Sequence, residues 1–455
     1  MVFIRSFLLL GVLFVRNITA APTPGLVDGL LTGIADTAAV KDASTVLAQL
    51  LGTHPATAAP ASADQLRSTL SSIWGNEKSP NGFYNKVLVQ VEANILPSGL
   101  LTSLANLVGP TSGIDSTVNA NLHKPSSPIY PHKSSADAPY SLLEAQLRAA
   151  IYIPSTFTYG KKPPTILVPG TGVYGGETFS SNLAKLLTGK SYADPVWLNV
   201  PGALLGDAQV NSEYVAYAIN YISSISKNAK VSVISWSQGG LDTQWAFAFW
   251  PSTRSVVSDF LPVSPDFHGT VVANALCLSE HSVTGFDPCD PSVIQQDYNS
   301  NFVKTLRSSG GADAYVPTTT LYSGFFDEIV EPQQGRNASA YLGDARGVGV
   351  TNIEVQSVCA GKLAGSFYGH AEMLFNPVTA AMVADALSHA GPGKLSRVKL
   401  AEVCADYIAP GLTLEDAIST SGEIVIAAIR LLAYMPKLLV EPGVKAYALK
   451  ERHYI

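Results

Sequence analysis

Ser237, Asp327 and His370 have the types, and the order along the chain, of a covalent acyl-transfer relay. A serine hydroxyl is a weak nucleophile at neutral pH. It needs a base within hydrogen-bond reach, and that base needs a carboxylate to orient it. Ser237 lies in Ser235-Trp236-Ser237-Gln238-Gly239, a small-x-Ser-x-Gly turn with serine where glycine is usual. An apolar β-type run, Val231 to Ile234, leads into it, and a helical pattern from Leu241 to Trp250 leaves it and stops at Pro251. Strand, sharp turn and helix together describe a nucleophile elbow.

In that setting the acid and then the histidine follow the serine. His54, His123 and His132 precede it, and His268 and His281 come before most later strands. His389 lies in the helical run Val378 to His389, and His453 sits at the C-terminus, where chains fray. His370, in the loop Tyr368-Gly369-His370-Ala371, is left as the base. Asp327 follows the strand run 318–323 beside Phe325 and Phe326, with Glu328 as its rival, and Asp266 ends an earlier strand as a second carboxylate near the pocket. The oxyanion of a tetrahedral intermediate needs preorganised donors. The backbone N–H of Gln238 is one. The loop Pro169-Gly170-Thr171-Gly172 offers the N–H of Thr171, with its hydroxyl as a third. Gly170, Gly172 and Gly175 nearly match a dinucleotide cradle, but no acidic ribose partner stands at the expected distance.

The elements that must hold these groups are β-type runs at 164–168, 195–200, 231–234, 260–263, 318–322 and 352–358, with helical stretches between, including 213–225 and 293–306. Alternation of this kind predicts an α/β fold: a mostly parallel central sheet, helices on both faces, and the site on loops at the strands' carboxyl ends. Residues 1–20 read as a signal peptide, with Arg5, an apolar run from Phe7 to Val15 and a small-residue cut site at 19–21. Residues 21–135 form an Ala-rich helical extension and linker, periodic at 40–51, 65–74 and 84–95, and serve as a pro-segment, a cap or a packing extension. The remaining 136–455 form the domain with the relay.

A net charge of −6 on 455 residues argues against a nucleic-acid partner. The apolar run 424–440 is broken by Arg430 and Lys437 and is expected to line the entrance of the site and face oil. Four cysteines suit an oxidising compartment, and nearest-neighbour pairing, Cys277 with Cys289 and Cys359 with Cys404, is the simplest of three connectivities. No metal-ligand spacing accompanies them. Asn337-Ala-Ser339 is a glycosylation acceptor for an exported chain.

Taken together, Val168 to Gly172, Gln209 to Tyr214, Ser235 to Leu241, Pro265 to Thr270, Val316 to Thr319, Asp327 to Val330 and His370-Ala371 resemble the fungal lipases related to Candida antarctica lipase B. The resemblance covers about 137–447. It implies an α/β-hydrolase fold and cleavage of acylglycerol esters with no metal or cofactor, by a secreted monomer working at a lipid–water interface. It implies Ser237, Asp327 and His370 as nucleophile, acid and base, and Thr171 and Gln238 as oxyanion donors. Trp236 falls on the alcohol side of the pocket, and Cys359–Cys404 on one family disulfide. Gly369 departs from the family's aspartate, Val173 and Thr178 replace residues that shape the alcohol pocket, and a C-terminal cysteine pair is missing. A carboxylesterase or acyltransferase acting on a soluble or secondary-metabolite ester would use the same relay with a different pocket.

Overall fold

The computed structural model describes residues 38–75, 82–277 and 288–449. The expected signal peptide, His281 and His453 lie outside the described residues. Seven strands form one sheet: β1 (Ile151–Tyr152), β2 (Pro164–Val168), β3 (Asp194–Leu198), β4 (Val231–Trp236), β5 (Val257–Val263), β6 (Thr318–Tyr322) and β7 (Val350–Glu354). They lie in the order β1-β3-β2-β4-β5-β6-β7, parallel throughout except at the β1–β3 edge. The inner strands are buried at nearly every residue because helices cover both faces, so their sequences are continuous apolar runs rather than alternations. Alternate residues still sort to opposite sides. Ile166, Val168 and Val233 pack with α5 (Ala208–Ile225) and α6 (Gln238–Phe249). Leu167, Ile234 and Leu261 pack with α7 (Pro377–Ser388) and α9 (Glu423–Ala433).

Two expectations change. The run 352–358 pairs only as far as Glu354, after which Val355–Val358 coils into a helical turn, the apolar side chains there having no further strand to pair with. The expected helix 293–306 is two short ones, Pro291–Gln295 and Asn301–Leu306; the second is started afresh by the Ser300 hydroxyl, which accepts the N–H of Val303 at 3.0 Å.

The extension folds into α1 (Ala38–Gly52), α2 (Ala63–Trp74), α3 (Phe83–Glu92) and α4 (Leu100–Val108). Of these, α1, α3 and α4 pack directly on α9. Polar ties cross the junction. Gln90 accepts from the Trp74 indole at 2.8 Å and donates to the Ser421 carbonyl at 2.8 Å, at the end of α8 (Leu414–Ser421). The hydroxyl of Tyr84 donates to the carbonyl of Leu276 at 3.0 Å.

Candidate active site

β4 ends at Trp236, and Ser237 turns the chain with φ +53° and ψ −132° before α6 begins. That left-handed conformation costs a non-glycine residue about 1–3 kcal/mol. Its N–H, donated to the Val263 carbonyl at 3.0 Å, helps to hold it. The neighbouring glycines are required by contact: a Cβ on Gly239 would lie 2.3 Å from the Pro169 carbonyl, and one on Gly170 would lie 2.9 Å from Ser237 Cβ. Only bare backbone lets the 169–172 loop come this close to the elbow.

Asp327 follows β6 and is fully buried. Its Oδ1 accepts the N–H groups of Ile329 and Val330 at 3.0 and 2.8 Å, a side-chain turn that fixes the carboxylate. Both of its oxygens lie 3.0 Å from His370 Nδ1. The His370 loop is anchored at three further points. Its N–H donates to Glu328 Oε2 at 2.9 Å, and its carbonyl accepts from Trp236 Nε1 and from Ser264 Oγ, each at 3.2 Å. The outer nitrogen, Nε2, is buried without a hydrogen-bond partner among the described residues. His370 lines the same cleft as Ser237, Thr171 and Trp236. In unliganded relays the serine–imidazole contact is often long and tightens with substrate.

The Thr171 hydroxyl is turned away from the role expected of it. It donates to Gln238 Oε1 at 2.8 Å, with Gln296 Oε1 at 3.1 Å, and Gln296 Nε2 also reaches Gln238 Oε1 at 3.0 Å. This amide cluster ties the 169–172 loop to the start of α6. Gln296, at the end of a short helix, lines the cleft and carried no sequence signal.

Three expected pocket residues do not line the cleft. Val173 is packed in the core. Thr178 is buried in a short helix, its hydroxyl spent on the Tyr174 carbonyl at 2.7 Å. Asp266 is fully buried behind the relay, where burial pushes its carboxyl up to about 7. The apolar run 424–440 meets its expectation in part: Met435, Leu439 and Val440, beyond the helix, are exposed. Ile424, Ala427 and Leu431 do line the cleft, but the extension covers the rest of α9 and adds its own Phe83 to the wall. The extension supplies α9 with an apolar partner, so the helix has no bare face to offer oil. Both disulfides, Cys277–Cys289 and Cys359–Cys404, are formed, with Cα atoms 5.0 and 5.4 Å apart. Asn337 is exposed on the turn Gly335–Asn337. Among the described residues no cluster of metal-ligating side chains occurs, and no helix is long and apolar enough to cross a membrane.

The sheet order, the strand–elbow–helix at Ser237 and the placing of Asp327 and His370 on loops after later strands define an α/β-hydrolase. No family model matches the chain. It is 35% identical to lipase B of Pseudozyma antarctica over 315 residues, 68% of this chain and 85% of that protein. It superposes on the crystal structure of Aspergillus fumigatus lipase B with a TM-score of 0.82 at 43% identity, covering 93% of this chain and 99% of that one. The chain belongs to the lipase B family.

Proposed function

We propose that the protein is an exported serine lipase that hydrolyses carboxylic esters of acylglycerols through an acyl-enzyme on Ser237. The observation that carries the reading is the divided imidazole of His370: Nδ1 is held by a buried carboxylate, while Nε2 has no hydrogen-bond partner among the described residues, and His370 lines the same cleft as Ser237. Nδ1–H donated to Asp327 puts the lone pair on Nε2, where it takes the Ser237 Oγ proton as Oγ attacks the ester carbonyl. The carbonyl oxygen becomes an anion facing the N–H groups of Thr171 and Gln238, and loss of one such donor costs about 2.7–4 kcal/mol in the transition state. The tetrahedral intermediate collapses, Nε2 returns the proton to the leaving alcohol, and water repeats the sequence to free the acid.

Two disulfides fit an oxidising compartment, and exposed Asn337 suits glycosylation there. The extension acts as a cap, since α3 delivers Phe83 to the cleft that holds Ser237. Its closure favours a second reading, an esterase or acyltransferase for small soluble esters. Ser237→Ala should abolish ester hydrolysis while the protein still folds; retained turnover would end the assignment. Comparing rates on an emulsified long-chain triglyceride with those on a short soluble ester separates the two readings.

A further inference from the structure

The loop that carries His370 rests on two glutamates that the relay does not use. Glu328 follows Asp327 directly, and its Oε2 accepts the His370 N–H at 2.9 Å. Glu372 opens the turn Glu372–Phe375, two residues after the histidine, and is buried. Gly369 stands between them. A Cβ there would lie 2.6 Å from Glu328 Oε2 and 2.5 Å from Glu372 Oε2. One oxygen of each carboxyl group therefore borders the same position, which has no side chain.

Two carboxylates this close and out of water cannot both ionise. Burial raises Glu328 well above the usual carboxylate range, and the charges of Glu372 and Asp327 add to it. Burial raises Glu372 too, against the opposing pull of Ser421, the local backbone N–H groups and His370. Neither glutamate forms an ion pair among the described residues. The groups around them are Asp327 and His370 on the adjoining loops, Ser421 at the end of α8, and Tyr368 and Tyr407; the cation of this neighbourhood, Arg67 on α2, acts on the two tyrosines.

We propose that Glu328 and Glu372 form a proton-sharing carboxyl pair that positions His370, Glu328 holding the histidine's N–H while Glu372 keeps one proton between the two side chains. The inference rests on His370 being the base. With its proton the pair carries one negative charge, and Glu328 retains an oxygen for the loop. Once that proton leaves, two anions face each other across Gly369, the carboxyl groups separate and the loop loses its anchor. Turnover then declines on the alkaline side. KM changes little, because neither glutamate lines the cleft.

The test is the pH dependence of kcat and KM on a soluble short-chain ester for the wild type, Glu372→Gln, Glu328→Gln and Glu328→Ala, with melting temperature followed over the same range. Either amide variant has a single carboxylate and no shared proton, so the alkaline decline of kcat should move up in pH or vanish. Glu328→Gln still presents an acceptor to the His370 N–H. Glu328→Ala does not, and should lose about tenfold in kcat with little change in KM. Stability supplies a second readout. A carboxyl raised in the folded state holds a proton that the unfolded chain has released, so wild-type stability falls as pH rises from the ordinary carboxylate range to the raised value. The amide variants should therefore gain melting temperature over the wild type progressively with pH, whereas a merely structural role gives a constant offset. Alkaline limbs that superimpose on the wild type overturn the pair, and either amide variant alone suffices to show it. A His370→Ala enzyme that keeps turning over overturns the assignment of the base instead.

Discussion

Replacing Asp327 by asparagine isolates the orienting role of the carboxylate from its structural one. Oδ1 holds the N–H groups of Ile329 and Val330, and both oxygens lie 3.0 Å from His370 Nδ1. Asparagine can keep Oδ1 on the two backbone donors, so the turn should survive. Its amide nitrogen then takes the place of Oδ2 and offers hydrogens to Nδ1. The imidazole must accept at Nδ1 and carry its proton on Nε2, the tautomer that cannot take a proton from Ser237. In serine hydrolases this exchange lowers kcat about 10⁴-fold, or roughly 5.5 kcal/mol of barrier. With the turn retained, the variant should still fold and unfold in a single cooperative transition. The assay is kcat on a short soluble ester alongside thermal unfolding. Activity within tenfold of the wild type, with folding intact, would refute the tautomer argument. A collapsed melting temperature would refute the retained turn.

Phe83→Ala should remove a wall of the cleft. Phe83 packs against Trp74 and Tyr84 with ring centroids 5.9 and 5.1 Å apart, so the variant should lose about 3 kcal/mol of stability while KM falls for bulky esters more than for short ones. Unchanged discrimination between the two substrates would count against the cap. Asp266→Asn removes a buried carboxyl with no hydrogen-bond partner on either oxygen among the described residues. Its carboxyl is raised to about 7, so the wild type should lose up to roughly 4 kcal/mol of stability as pH rises from about 4 to about 7, and the variant should lose less. Parallel urea-unfolding curves for the two proteins at the extremes of that range would show the prediction wrong. Opening Cys359–Cys404, which closes 45 residues, should cost about 4 kcal/mol against about 3 kcal/mol for Cys277–Cys289, which closes 12, as read from denaturant midpoints of the Cys→Ser pairs.

How far the sequence reveals this architecture depends on whether a signal is local. The β4–Ser237–α6 unit is local: an apolar run, a small-residue turn and a helix follow each other without a break, and they read correctly. The helices of the extension show a clear period, so α1, α2 and α3 match the expected runs closely. α4 was not foreseen, although Leu100, Leu101, Leu104 and Leu107 follow Pro97 at helical spacing. The two-residue strand β1 is too short to carry a pattern and exists only by pairing with β3. Long-range placements were the least legible. Nothing local separates Asp327, which meets the histidine, from Asp266, which is equally buried one strand earlier. Gln296 enters the cleft only because its helix stops beside Thr171.

α9 ties the N-terminal extension to the 169–172 loop. Its Arg430 donates to the Gly172 carbonyl at 3.0 Å and pairs with Glu177 through both terminal guanidinium nitrogens, all of it buried. Glu177 in turn accepts from the Ser103 hydroxyl of α4 at 2.6 Å and from the Tyr174 N–H at 2.8 Å, and its own N–H donates to Asp115 Oδ1 at 2.8 Å. A Cβ on Gly176 would lie 2.4 Å from the Ile114 carbonyl, so the segment after α4 presses on the short helix Gly175–Ser180 that follows the 169–172 loop. Removing one partner of a buried charged network typically costs about 3–5 kcal/mol, because the remaining charge is left uncompensated. A cap lying loosely over the cleft would change only access, and hence KM. A cap wired through Ser103 and Asp115 to Glu177, and through Arg430 to Gly172, must also change the placement of Thr171 when it moves. Ser103→Ala, far from the chemistry and outside the cleft, should therefore lower kcat as well as alter KM; an effect confined to KM would mean that the extension and the oxyanion loop move independently.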